Sequence, residues 1–263
     1  MLEQAIDFRE ESEALYALLE PLSEEGFERQ TQFKDWTTND VIGHLHHWNW
    51  AADYSLRDGD AFQAWVTELM PEVAAHGIRV VETRWLEGLA GRQLLEAWRN
   101  FYLEMSERFE AADPRQRVKW AGPDMSVRSS ITARLMETWS HAQAVYDLLG
   151  VERVDRDRIR NIAQLGINTF GWTFHNRGES PPGEVPAVRL TAPSGAIWEW
   201  NPDNSQDIIE GSATEFCQVV TQTRNIGDTA LNVRGAIATR WMAVAQCFAG
   251  PPETPPAPGT RHL

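Results

Sequence analysis

Apolar residues recur every three or four positions from residue 2 to about residue 178, broken only by short polar turns, so the first part of the chain is predicted to be all α-helix. The periodicity places helices at roughly 2–20, 38–57, 60–75, 91–112, 127–149 and 156–177. The second has a start signal. Thr37 stands three residues before Asp40 in TTND, a capping-box pattern with Asp in the place of the usual Glu. The fifth has a stop signal, because Gly150 follows Leu149 where a left-handed C-cap residue is expected.

The pattern changes at GESPPGEVPA, residues 178–187, whose prolines and glycines cannot continue a helix. Beyond it, VRLTAPSGAIWEWNP reads as two strands around the turn Pro193-Ser194-Gly195. SATEFCQVVTQT and GAIATRWMAVAQCF read as helices, with short strands at Asp207–Glu210 and near Leu231–Val233. The predicted class is therefore α+β. Residues 1–180 form a helical bundle, 181–250 a small α+β domain, and 251–263 a proline-rich tail without a hydrophobic pattern, expected to be disordered.

Two of the predicted helices carry residue types suited to a metal. In ITARLMETWSHAQAVYDLLG, Glu137 and His141 are four apart; a helix turns about 100° per residue, so both side chains lie on one face, one turn apart. Upstream, VIGHLHHWNW holds His44, His46 and His47. Val41, Leu45 and Trp48 mark the inward face and favour His44 as the buried ligand, leaving His47 as a fourth ligand or a group that hydrogen-bonds to substrate. Two imidazoles and one carboxylate suit Zn²⁺, Ni²⁺, Fe²⁺ or Mn²⁺ and leave coordination positions open. The set differs from HExxH, in which two histidines share one helix and the glutamate is a base. Taken alone, E-x-x-x-H is common, and Glu137 has an alternative partner in Arg134 at i−3. Of the twelve tryptophans, Trp48 and Trp139 are near enough in sequence to line a cavity above the metal.

Composition narrows the partners. The chain has 263 residues, 38 acidic against 24 basic, and a formal charge of −14 with no cationic cluster, which argues against nucleic acid and anionic membranes. No stretch approaches the roughly 20 apolar residues needed to cross a bilayer, and the acidic N-terminal segment does not read as a signal peptide. Cys217 and Cys247 are too few for a disulfide framework, so a reducing cytoplasm is the expected location.

DWTTNDVIGHL and RLMETWSHAQAVYDLLG together resemble the mycothiol-dependent maleylpyruvate isomerase family, whose N-terminal half is a DinB-like metal-binding four-helix bundle. The first resembles the family's tryptophan-turn-helix segment ending in a ligand histidine, the second its R-x-x-E-x-x-x-H segment. Within this family the chain looks like an uncharacterised metal-binding branch. The resemblance implies His44, Glu137 and His141 as metal ligands and zinc as the commonest metal. IIEGSATEFCQVVTQTRN and LNVRGAIATRW are similar more loosely. The family places a glycine-arginine pair there; here Thr223 stands for the glycine and Arg224 remains, with the implied role of holding a substrate carboxylate. The arginine that the isomerases place between the two ligand segments has no unambiguous match among Arg79, Arg84 and Arg92.

The function these features imply is a metal-dependent enzyme using a low-molecular-weight thiol, mycothiol-like, to isomerise or transfer to a small carboxylated or electrophilic substrate. The expected partners are that small molecule and the thiol, and the expected assembly a monomer or homodimer. A non-haem iron oxygenase built on the same ligand types is the alternative enzyme. A non-catalytic metal- and small-ligand-binding protein is the alternative outside enzymology.

Overall fold

The computed structural model describes residues 1–262 and divides into two compact units, Met1–Leu148 and Leu149–Leu263. The division falls about thirty residues before the proline-rich boundary expected near residue 180. The first unit contains α1 (Glu3–Leu19), α2 (Glu24–Phe27), α3 (Thr38–Arg57), α4 (Gly59–His76), α5 (Ile78–Trp85), α6 (Gly91–Ala111), the short hairpin β1 (Arg117–Val118) and β2 (Met125–Ser126), and α7 (Val127–Leu149). α6 packs against both α1 and α3, and α4 and α5 cover another side of α3.

α3 is the central element. Every residue from Val41 to Asn49 is buried, so this helix is enclosed on all sides where a surface helix would show one apolar stripe. Its start is fixed as the sequence predicts: Thr37 Oγ1 accepts from Asp40 N at 3.1 Å, and Asp40 Oδ2 accepts from Thr37 N at 2.8 Å. Further along, the fully buried Asp53 accepts from Arg57 Nε at 2.7 Å and Arg108 Nε at 2.6 Å, which neutralises a carboxylate that would otherwise be costly to bury and ties α3 to α6.

Phe8 and Leu15 of α1, Trp98, Tyr102 and Phe109 of α6 and Trp139 of α7 are fully buried, and Tyr102 meets both Phe8 and Trp98 edge-on. A second apolar cluster joins Trp48, Ala51, Phe62 and Val66 with Trp50, Trp65 and Trp120 around them. Each large side chain removed from water contributes about 1.5–3 kcal/mol, and α3 supplies Trp48 and Ala51 to the second cluster.

The second unit contains α8 (Arg160–Asn168), α9 (Phe170–His175), β3 (Ala187–Thr191), β4 (Ile197–Trp200), β5 (Ile208–Ser212), α10 (Ala213–Val220), β6 (Asn232–Arg234) and α11 (Ala236–Met242). The strands form one mixed sheet in the order β4-β3-β5-β6, with β3 antiparallel to β4 and parallel to β5. Val188 and Leu190 are buried while Arg189 and Thr191 are exposed, the alternation expected of a sheet with one covered face. Phe170 and Phe216 meet Trp241 edge-on in the core of this unit.

The helix expected over 156–177 is in two pieces. Thr169 sits at the break with φ −96° and ψ 11°, and its Oγ1 bonds back to Leu165 O. The tail differs more from expectation. Up to residue 262 it is held by its own carbonyls and by its few donors: Gln222 Nε2 donates to Glu253 O, Asn225 Nδ2 to Pro256 O, and Gly259 N to Asp228 Oδ1. Proline restricts the unfolded chain, so ordering such a segment costs less entropy than its composition suggests. Leu263, the end of that tail, lies outside the described residues.

His47 gives the first unit a pH dependence. Its ring stacks on Trp85 with centroids 4.7 Å apart, neither ring nitrogen has a hydrogen-bond partner among the described residues, and burial pushes it from 6.5 down to about 4; burial does the same to His46. Below pH 6.5 the unfolded chain takes up protons that the folded chain refuses until about pH 4. Stability contributed by these neutral rings is therefore complete above pH 6.5 and falls as the pH drops toward 4, by roughly 3 kcal/mol per histidine at the lower limit. Denaturant unfolding of wild type and His47→Phe from pH 7 to pH 4.5 is expected to show a shallower loss in the variant. Equal slopes would contradict this.

Candidate metal centre

α3 and α7 bring His44, Glu137 and His141 together, and one ligand atom from each lies within 4.8 Å of the others. Glu137 Oε2 is 3.2 Å from His141 Nε2 and 3.6 Å from His44 Nε2. Side-chain exposure is 10% for His44, 12% for His141 and 21% for Glu137, so the cluster is recessed with its carboxylate nearest to water. Glu137 and His141 are one turn apart on α7, as their spacing predicts.

Two features absent from the sequence reading complete the cluster. The first is Glu82 on α5, 4% exposed, whose Oε1 accepts from His44 Nδ1 at 2.7 Å and from Trp48 Nε1 at 2.8 Å. The second is an aromatic wall from the turn before α3. There Lys34 and Asp35 take left-handed conformations, φ 51° and 56°, and Thr31 N bonds to Trp36 O. That turn lays the Trp36 ring parallel to His141, with centroids 5.5 Å apart, and 5.3 Å from His44; Phe33 meets His141 edge-on at 5.1 Å.

The residues expected to line a cavity are placed differently. Trp48 is beside His44, but its indole N–H is committed to Glu82. Trp139 has no exposed surface and, two residues from either ligand position on α7, projects about 200° away from each. His47 is outside the convergent group, among Trp48, Trp65 and Trp85. Arg134 does not pair with Glu137 through a direct bond; its Nε donates to Asn49 Oδ1 at 2.9 Å. Arg224 belongs to the second unit, just after α10, where its backbone N–H bonds to Gln218 O and its guanidinium to Thr223 O. A pocket of about 320 Å³ opens beside His44 and Glu82, bounded by Thr37, Asp40, Arg79, Thr83 and Leu86.

Electrostatics fits the donor set to a cation. Burial raises the Glu137 carboxyl, but the imidazoles of His141 and His44 facing it outweigh this and hold it well below the usual carboxylate range. Burial pulls His44 down while Glu82 and Glu137 pull it up more strongly, to about 9. His141 is lowered, chiefly by burial. Burial also lowers Arg134 to about 10. A buried carboxylate, a second carboxylate behind one imidazole and two converging ring nitrogens are what a divalent ion needs, and a single proton on His44 is a poor substitute for two charges.

The sequence matches the family model described as "Mycothiol maleylpyruvate isomerase N-terminal domain" over residues 8–146. Two uncharacterized proteins of Mycobacterium tuberculosis, one from strain CDC 1551 / Oshkosh and one from strain ATCC 25618 / H37Rv, are each 37% identical over 248 residues, covering 94% of this chain and 95% of the relative. Among solved structures, a mycothiol-dependent maleylpyruvate isomerase aligns with TM-score 0.55 at 16% identity, over 82% of this chain and 87% of the other. A mutant of that enzyme with a histidine replaced by alanine aligns with TM-score 0.54 at 17% identity. The fold is that of the isomerase, and the chain belongs to the mycothiol maleylpyruvate isomerase family. The N-terminal match covers the unit that carries the histidine and glutamate cluster.

Because His44 holds its proton up to about pH 9 without a cation, metal uptake at neutral pH must displace that proton. The apparent affinity for Zn²⁺ is expected to rise about tenfold per pH unit from 7 to 9 and then level off. Titration calorimetry in buffers of different ionisation enthalpy checks this through the number of protons released. Affinity independent of pH in that window would contradict it.

Proposed function

We propose that this protein is a metal-dependent enzyme that uses a low-molecular-weight thiol, mycothiol or one like it, to isomerise or transfer to a small carboxylated, electrophilic substrate. The observation that carries the reading is the convergence of His44, Glu137 and His141 within 4.8 Å, three protein donors where a closed structural site would use four. Family membership supports the thiol, and the name of the solved neighbour supports isomerisation. Zinc is the proposed metal and a reducing cytoplasm the proposed location, in keeping with only two cysteines, both buried. No helix among the described residues is long and apolar enough to cross a membrane.

A bound Zn²⁺ supplies the Lewis acidity that ionises a thiol near neutral pH. His44 and His141 would hold the ion as neutral donors, and Glu137 would add one negative charge. Trp36 and Phe33 would shield one side of that cluster from water, which strengthens electrostatic interactions inside it. In isomerisation, the thiolate sulfur forms a C–S bond to one carbon of a cis double bond conjugated to a carbonyl, and the π electrons move onto the carbonyl oxygen. The former double bond rotates as a single bond. Return of the electrons re-forms it as trans and expels the thiolate, so atoms and electrons balance without an oxidant. Arg224 would hold a carboxylate of the substrate bidentately during the rotation.

Maleylpyruvate with mycothiol, followed by absorbance, is the direct assay. Turnover is expected only with metal and thiol both present, and Arg224→Ala is expected to raise KM roughly 10–100-fold, the loss of one charge-assisted bidentate contact, with Arg224→Lys between the two. Metal-free protein that retains full thiol-dependent turnover would overturn the reading.

A further inference from the structure

α5 is an eight-residue helix packed against α3, and it buries one carboxylate. Glu82 is 4% exposed, and its Oε1 receives two donors, His44 Nδ1 and Trp48 Nε1, at 2.7 and 2.8 Å. Burying a carboxylate is expensive unless donors and positive charge compensate it. A latch between two helices needs only a neutral acceptor. A charged one is favoured where the imidazole it touches faces a cation on its other side. His44 Nε2 does face the convergent point, 3.6 Å from Glu137 Oε2.

The contact also decides geometry. An imidazole that donates from Nδ1 to a carboxylate carries its lone pair on Nε2, and the bond stops the ring from flipping. Trp48 fixes the other partner: its indole N–H holds Glu82 Oε1 from the next turn of α3, since positions 44 and 48 are four apart. We propose that Glu82 is the positioning residue of the metal centre, held by Trp48 and holding His44 in the tautomer and ring orientation that present Nε2 to the ion. This assigns Trp48 a role behind the ligand instead of a place in the substrate wall. The inference rests on the metal reading of His44, Glu137 and His141.

The test measures dissociation constants for Zn²⁺ by chelator competition, the visible spectrum of Co²⁺-loaded protein, and the melting temperature of metal-free protein. Glu82→Ala is expected to weaken Zn²⁺ binding about 10–100-fold and to shift the cobalt bands. Glu82→Gln keeps an acceptor oxygen and is expected to recover most of the lost affinity; Trp48→Phe is expected to lose only a few-fold, about what a single hydrogen bond contributes. A Glu82→Ala protein with wild-type metal affinity and cobalt spectrum, whatever its melting temperature, overturns the proposal. So does a Glu82→Gln protein as weak as Glu82→Ala. Should Glu82→Ala fail to fold, long-range ¹⁵N–¹H correlation spectra of zinc-loaded wild type decide: a proton on His44 Nδ1 is expected, and metal on Nδ1 overturns the assignment. Wild-type protein that takes up no metal at all would instead overturn the reading on which this one rests.

Discussion

Glu137 is a carboxylate held between two imidazoles in a recessed cluster, and the first unit is arranged around the cost of keeping it there. One buried negative charge in a low-dielectric setting needs a positive one close by, and here a second carboxylate, Glu82, adds to the demand from behind His44. Without an ion, His44 meets part of the demand by keeping its proton, and Arg134 adds a buried guanidinium nearby. These groups leave two carboxylates against a proton and a guanidinium that feels both of them. A divalent ion in place of the proton changes the local sum from neutral to one positive charge, a setting that attracts a monoanion such as a thiolate.

The supporting structure follows from that requirement. α3 is enclosed on all sides because it delivers the first ligand to the middle of the unit, and its capping box fixes where the helix starts and hence which way residue 44 faces. The strained turn at Lys34 and Asp35 is the cost of laying Trp36 across both histidines, on the order of 1 kcal/mol or more per left-handed residue. The neighbouring His46 and His47 meet burial differently. With no charge beside them strong enough to hold a proton, they stay neutral and pack as flat apolar rings.

Much of this was legible in the sequence. The start of α3 and the shared face of Glu137 and His141 follow from patterns of three to four residues, and these local signals survive folding; the inward-face argument for His44 does not separate it from its neighbours, because His46 and His47 are buried as well. Four strands and two helices of the second unit were also legible from alternation and turn residues. What was hidden depends on tertiary contact. α5 is too short to show a clear period, and Glu82 in IRVVETRW reads as one of 38 acids on a polar surface until α3 is seen beside it. Trp48 and Trp139 are near the ligands in sequence, but the helical rotation of Trp139 and the bond from Trp48 to Glu82 take them elsewhere, while Trp36 arrives through a turn whose dihedrals no periodicity encodes. The ordered tail was hidden for a similar reason: its partners, Gln222 and Asn225, lie some thirty residues away in sequence.

The central claim is that two imidazoles and one carboxylate hold a metal and leave room for a thiol. X-ray absorption at the zinc edge of loaded protein tests it most directly. A first shell of nitrogen and oxygen only is expected, with the outer scattering of two imidazoles, and one sulfur entering that shell when thiol is added. A first shell containing sulfur before thiol is added, or lacking imidazole scattering, would contradict it.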